Sequence, residues 1–379
     1  MKPSFSVMTV FGTRPEAIKM APIIKEMEVR GIPHFTCVTG QHREMLRQML
    51  ALFDIEPDFD LDIMTDDQTL EDVTAWVISG MREIYRKARP TMVLVQGDTA
   101  TAFAAALAAF YQQIPVGHVE AGLRTKEIYD PFPEEMSRRL ISQVASIHFA
   151  PTRRALDNLL EDGVDSSDIH VTGNTGVDAL FTIVGQNRPF SSESLQKLDV
   201  EKMAKTKRII LVTAHRRENL GKRMHNIFSA IRKLALEEKN CEFIFPVHLN
   251  PVVQRQAHEL LDELDNVHLI EPLVYSDLAK LMQYCYLIMT DSGGIQEEAP
   301  SLDKPLLVLR ETTERAEGID AGVAMLAGGK DEDLIYSLTK RLLTDERVYQ
   351  TMAEAENPYG DGSAARKIVD WIESFHRGM

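Results

Sequence analysis

Residues 286–299 read YLIMTDSGGIQEEA. An apolar, β-favouring run gives way to a hydroxyl, two glycines and a segment of helical composition. A strand that passes through a glycine turn into a helix is the joint from which parallel α/β sheets are built. The glycines admit two readings. They form a bare N-cap, or they let a phosphate approach the free N–H groups of a helix start, with Ser292 adding a hydroxyl. The same joint recurs along the chain. Strands are predicted at FSVMTVF (5–11), FTCVT (35–39) and TMVLVQG (91–97), and at IPVGHVEA and SIHFAP. Helices with 3.6-residue spacing lie between them, one opened by Thr69, another kinked at Pro22. RIILVTA (208–214), CEFIFPVH, VHLIEP, YLIMT and PLLVLR (305–310) repeat the rhythm, PLLVLR being the last clear strand. Apolar strands alternating with helices indicate parallel sheets covered on both faces. A polar stretch at 187–207 separates two such halves, so the fold class is α/β, with two doubly wound domains facing a cleft.

Composition narrows the function. The chain has 379 residues, 44% of them hydrophobic, which favours two domains. A net charge of −15 and a pI near 5.3 argue against nucleic acid and anionic membranes as partners. No apolar run reaches the ~18 residues of a membrane span, and MKPSFSVMTVFG is not a signal peptide. Cys37, Cys241 and Cys285 lie in or near apolar runs without metal spacing, which reads as buried thiols in a reducing cytoplasm. No HxxxH or HExxH is present, so no metal is expected. No GxGxxG is present either, which argues against a nicotinamide or flavin cofactor.

In open parallel sheets, ligands bind beyond the carboxyl ends of strands. FGTRPEAIK (11–19) places Arg14 and Lys19 at a glycine-containing turn, either as part of an anion site or as solvated cations. VLVQGDTAT (93–101) places Asp98 after a buried strand, where Asp98 or Thr99 would also cap the next helix. GHVEAGLRT (117–125) carries His118 and Glu120. YDPFPEEMSRR (129–139) carries Glu134 and Glu135, a candidate acid pair or a solvated helix start. His215, in LVTAHRRENLG, and His248, in FPVHLNP, follow neighbouring strands of the second half. Beyond Ser292, Gly293 and Gly294, Glu298 suits a neutral diol such as a ribose, and Arg310 and Arg315 follow. This arrangement suits a nucleoside diphosphate.

FGTRPEAIKMAP, QHREML, GDT, GHVEAGLRT, PFPEE, TAHRREN, PVHLNP, DSGGIQEEAPSL and NPYGDG, in that order from about residue 5 to 372, resemble the bacterial non-hydrolysing UDP-N-acetylglucosamine 2-epimerases. The resemblance implies the glycosyltransferase-B architecture of two Rossmann-like domains. Residues 1–170 with a returning C-terminal helix 360–379 would form one, residues 171–359 the other. It implies Asp98, Glu120, Glu134 and His215 in catalysis and sugar contact. Arg14, Lys19, Ser292, Gly293, Gly294, Glu298 and Arg315 would hold UDP. A second substrate molecule would act as activator at Gln41, His42 and Gln68, with Glu134 nearby. A homodimer is implied, and a role in surface polysaccharide precursor synthesis.

The sequence departs from the family pattern at several positions. Gln96 stands where His is frequent, Ser137 where Asn is common, Ala316 for Pro and Asp303 for Gly. Asp67 and Glu44 add acid near the expected activator phosphates. The reaction that the resemblance implies is departure of UDP from C1, loss of the C2 proton to leave a glycal, and re-addition on the opposite face. A hydrolysing epimerase, a glycosyltransferase using the same UDP-sugar site, and a nucleotide-sugar sensor are the alternatives.

Overall fold

The structure is a computed structural model that describes residues 5–40, 43–64, 68–125 and 127–378. The chain divides into two compact units. The first takes the chain up to Ala179 and again from Tyr359, and the second is Leu180–Pro358. The division falls inside the helix Thr175–Gly185, ahead of the polar 187–207 stretch.

Among the described residues, the first unit holds a seven-stranded sheet. Its strands are β1 (Val7–Phe11), β2 (His34–Val38), β3 (Phe59–Asp60), β4 (Met92–Gln96), β5 (Val116–Val119), β6 (Ile147–Ala150) and β7 (Ile169–Val171). They lie in the order β3-β2-β1-β4-β5-β6-β7, and every neighbouring pair is parallel. The second unit holds β8 (Arg208–Thr213), β9 (Cys241–Pro246), β10 (Val267–Ile270), β11 (Leu287–Thr290), β12 (Leu306–Val308) and β13 (Ala324–Leu326). Their order is β10-β9-β8-β11-β12-β13, again parallel throughout. Both sheets reverse direction of winding beside their first strand, between β1 and β4 and between β8 and β11. These are the switch points at which a doubly wound sheet opens a crevice. Strands β3, β7 and β13 go beyond the sequence reading, and β13 follows PLLVLR.

The cores explain the strand composition. Every residue of β1 and β4 is buried, as sheets covered on both faces require. In the first unit the alanine-rich helix Ala100–Tyr111 packs against Leu70–Ala88, where Val73, Val77, Met81 and Tyr85 are buried. Alanines let the helices approach closely, and Tyr85 Oη donates to Ala105 O at 3.1 Å. Thr69 caps Leu70–Ala88 in a reciprocal box with Asp72. The helix Arg14–Val29 runs on through Pro22. The C-terminal helix Ala364–Gly378 buries Ala364, Ala365, Ile368, Val369 and Ile372 along one face and packs on Arg14–Val29. Asp178 caps it, accepting from Ala365 N at 2.9 Å and Ala364 N at 3.3 Å. Arg30 reaches Asp370 at 2.6 Å. All three cysteines are buried and free. Among the described residues no helix is long and apolar enough to cross a membrane.

Candidate active site

In the first unit the segments that leave β1, β4 and β5 are tied together by buried carboxylates. Glu16, 1% exposed, accepts from Gly12 N at 2.9 Å and Thr13 N at 2.8 Å. Its other oxygen accepts from Thr99 Oγ1 at 2.6 Å. Burial raises its pKa against these hydrogen bonds. The turn after β1 therefore spends two of its amides on the chain's own carboxylate, which removes them from the anion site expected there. Arg14 and Lys19 remain on the helix that follows.

Thr99, not Asp98, caps the helix after β4, accepting from Ala102 N at 3.0 Å. Asp98 is instead clasped by Arg138 through Nη2 at 2.6 Å and Nε at 3.1 Å. Arg138 also reaches Glu135 at 3.1 Å. Glu135 is fully buried and takes further bonds from Arg139 Nε at 2.7 Å and Thr125 N at 3.0 Å. It anchors the loop and is no solvated helix start. Glu134 is different. It opens the helix Glu134–Val144, and its Oε2 is shut off from solvent without a hydrogen-bond partner. An unsatisfied buried acceptor costs ~1–3 kcal/mol, which a substrate hydroxyl or a bound proton relieves.

Glu120 follows β5 with φ +64, a left-handed backbone uncommon outside glycine and asparagine. Lys19 pairs with its Oε1, Asn174 Nδ2 donates to the same oxygen at 3.2 Å, and Gln96 donates to Oε2. His118, buried beneath, hydrogen-bonds Gly97 O through Nε2 at 2.7 Å. Burial lowers its pKa to about 3, so the ring is neutral and donates from Nε2. His118 is a strut between the ends of β4 and β5.

In the second unit Asp291, fully buried after β11, organises the loop after β8. Its Oδ2 accepts from His215 N at 2.8 Å, Arg216 N at 2.9 Å and Asn219 Nδ2 at 3.0 Å. His215 Nδ1 lies 3.2 Å from Asp291 Oδ1. Burial lowers the pKa of His215, and Asp291 opposes this. The His215 and His248 rings stack 5.4 Å apart, so the two strand-end histidines form a pair.

The Ser292 amide is not free. It donates to Thr290 Oγ1 at 3.0 Å. The Ser292 side chain does not cap the helix Gly293–Glu298, whose first N–H groups are those of Gly293 and Gly294. A Cβ on Gly293 would sit 3.0 Å from Arg315 Cζ, so the guanidinium lies directly over that backbone. Arg315 is steered by Glu297 at 2.8 Å and Glu314 at 2.5 Å, and Arg310 by Glu314 and Glu218, each at 2.7 Å. Burial resists charge on Glu314, but Arg315 and Arg310 outweigh it and hold its carboxyl at about 2. Glu298 is buried on the same helix, its Oε1 4.0 Å from a Cβ built on Gly294.

Gln68 spends its side-chain amide on Ile63 O. Gln41, His42 and Asp67 lie outside the described residues. Among the described residues no cluster of His, Cys, Asp or Glu is placed to hold a metal.

Known proteins bear on this arrangement. The sequence profile of the UDP-N-acetylglucosamine 2-epimerases matches residues 25–373. The chain belongs to the UDP-N-acetylglucosamine 2-epimerase family. It is 52% identical over 373 residues to the UDP-N-acetylglucosamine 2-epimerase of Bacillus subtilis strain 168, covering 98% of this chain and 96% of that one. A putative UDP-N-acetylglucosamine 2-epimerase from Listeria monocytogenes superposes with TM-score 0.91 at 45% identity, over 99% of this chain and 98% of that one. The Neisseria meningitidis enzyme, solved bound to UDP-GlcNAc, superposes with TM-score 0.87 at 46% identity, over 98% and 100%. The two parallel-sheet Rossmann-like units are thus the glycosyltransferase-B architecture of this epimerase family.

Several candidate site residues are held by neighbours outside the candidate set. Arg138 was legible as the i+4 neighbour of Glu134, and Asp291 as the residue before Ser292. Asn174 carries no local signal, because it meets Glu120 across 54 residues of sequence. One departure from the family pattern has a backbone reason. Asp303 sits at φ +57, where glycine is the unstrained choice and aspartate is tolerated.

Proposed function

We propose that this protein interconverts UDP-N-acetylglucosamine and UDP-N-acetylmannosamine reversibly, without net hydrolysis. The coarser part, epimerase chemistry at C2 of the nucleotide sugar, follows from family membership. The finer part rests on how the three candidate carboxylates are held. Asp98 and Glu120 are bound by cations, whereas Glu134 keeps a buried oxygen unengaged.

The C2 proton is not adjacent to a carbonyl, so direct abstraction is very difficult. Departure of UDP breaks the C1–O bond and leaves an oxocarbenium-like centre, which makes that proton acidic. An ionised carboxylate takes the proton, and the electron pair closes the C1–C2 double bond of a glycal. In the return, a proton is delivered to the opposite face of C2 and a diphosphate oxygen re-forms the bond at C1. Negative carboxylates favour the cationic centre, and a carboxyl without a cation partner suits proton delivery. On the nucleotide side, the Gly293 and Gly294 amides with Arg315 suit the diphosphate, Ser292 adds a hydroxyl, and Glu298 suits the ribose diol. Arg14, His215 and His248 complete the proposed contacts. A second substrate molecule at Gln41, His42 and Gln68, a homodimer, a cytoplasmic setting and supply of surface polysaccharide precursors belong to the same proposal.

Proton NMR of UDP-N-acetylglucosamine with the purified protein in D₂O tests this reading. The expected product is UDP-N-acetylmannosamine with deuterium at C2 and the diphosphate retained. Free UDP released in step with N-acetylmannosamine would replace the reversible reaction with the hydrolysing one. A product without deuterium would exclude exchange at C2.

A further inference from the structure

Asn174 lies outside every motif quoted above, yet its orientation is fixed from three sides. It is 4% exposed. Its main-chain N–H donates to Tyr359 O at 2.8 Å, where the chain returns to the first unit. The preceding Gly173, at φ +94, brings its backbone so close that a Cβ would meet Tyr359 O at 3.3 Å and Gly360 Cα at 3.5 Å. The side-chain Oδ1 accepts from Gly176 N at 2.8 Å. That bond settles which end of the amide is oxygen, so the Nδ2 donor is the end presented to Glu120 Oε1. Gln96, 3% exposed at the end of β4, presents its Nε2 to the other oxygen.

Two amide donors differ in kind from the Lys19 ammonium on the same carboxylate. An ammonium on a flexible stem supplies charge with little direction. A pinned amide such as that of Asn174 supplies direction, and neither amide titrates. A carboxylate accepting from Lys19, Asn174 and Gln96 is stabilised in its ionised form, because a protonated carboxyl gives up acceptor capacity to carry its own hydrogen. Two nearby titratable groups do not reverse this. His118 on β5 is neutral and bonded to Gly97 O, and Asp98 beyond Gly97 is neutralised by Arg138.

We propose that Asn174 is a positioning residue which, with Gln96, holds Glu120 as a fixed ionised acceptor, so that Glu120 takes the substrate proton and does not supply one. The assignment rests on the epimerase reading for the proton's source, but the state of Glu120 is measurable without any reaction.

The decisive variant is Asn174→Asp. It keeps Oδ1 for Gly176 and swaps the donor facing Glu120 for an oxygen at 3.2 Å. Two carboxylates at that distance resist joint ionisation. The acid limb of the kcat/KM profile for UDP-N-acetylglucosamine should therefore move up by about one pH unit or more, a roughly tenfold loss on that limb that recovers at higher pH. Infrared titration of the full chain without substrate, with Glu120→Gln identifying the Glu120 band, should show that carboxyl protonating at correspondingly higher pH. A loss of rate equal at all pH values, with the Glu120 band titrating as in the parent, would overturn the proposal. If the parent shows no epimerisation but the infrared shift appears, the positioning stands and the functional reading falls. Should Asn174→Asp not fold, Gln96→Glu challenges the second oxygen, and the same pair of results decides.

Discussion

Replacing Gly122 with alanine should cripple the first unit while leaving the second untouched. Gly122 has φ +92, and a Cβ built on it would sit 2.2 Å from Ala155 O, 2.8 Å from Ala155 C and 3.0 Å from Leu159 Cδ1. The obstacle is backbone inside the helix Arg153–Glu161, so no side-chain rotation relieves it. Gly122 O is itself held by Asn158 Nδ2 at 2.9 Å, which ties the loop to that helix. Overpacking costs about 1–3 kcal/mol and a non-glycine residue at this φ about 1–3 more, so ~2–6 kcal/mol is expected. The chain's two tryptophans, Trp76 and Trp371, both belong to the first unit, so their fluorescence reports that unit selectively. With a urea dependence of about 2–3 kcal/mol per molar, the fluorescence midpoint should fall by about 1 M or more. Turnover should fall too, because Glu120 lies two residues upstream on the same loop. A midpoint within ~0.2 M of the parent would show that the loop and helix separate freely and that the close approach is not a constraint.

The buried histidines set an acid limit. His118 is held neutral with a pKa of about 3, below its ordinary 6.5, so below pH 6.5 the unfolded chain binds a proton that the fold refuses, and stability declines toward pH 3. Between pH 6.5 and 5 that amounts to about 2 kcal/mol, with His148, lowered by burial to about 4, adding to it. His118→Asn should flatten the pH dependence of the fluorescence-detected midpoint by about half, and an unchanged slope would refute the assignment. Asp303→Gly relieves a left-handed backbone at an exposed position and should raise the stability of the second unit by about 0.5–1 kcal/mol, read as a higher thermal midpoint by circular dichroism. Destabilisation there would mean that the aspartate side chain contributes something the backbone account misses. Glu134→Gln should lower epimerisation by roughly 10²-fold or more with the fold intact, and near-parental turnover would remove Glu134 from proton transfer.

The sheets were legible because their strands are buried on both faces and so are apolar without interruption, as in VMTVF and MVLVQ. Strands β3, β7 and β13 escaped because they have two or three residues, and hydrogen bonding to a neighbour defines them where composition does not. Local devices were equally readable, as the Thr69 capping box was. The competing roles at Asp98 and Thr99 were not separable in sequence, since both residues cap well. What separates them is Arg138, 40 residues away, which draws Asp98 off and leaves the helix end to Thr99. Glu134 and Glu135 look equivalent in PFPEE. Their bonding makes them unequal: Glu135 meets Arg138 and Arg139 at i+3 and i+4, whereas Glu134 keeps a buried Oε2 without a hydrogen-bond partner.

The first unit is interrupted by the whole of the second. Its closing helix, whose Ile368, Val369 and Ile372 are fully buried, is encoded after residue 358. The first unit therefore cannot fill this part of its core until residues beyond 358 are available, whereas the second unit draws on one continuous segment. Unit two can be excised as one continuous fragment. A fragment ending at Ala179 leaves that part of the core open to solvent, a natural landing place for a chaperone and a ready cause of insolubility in truncated forms.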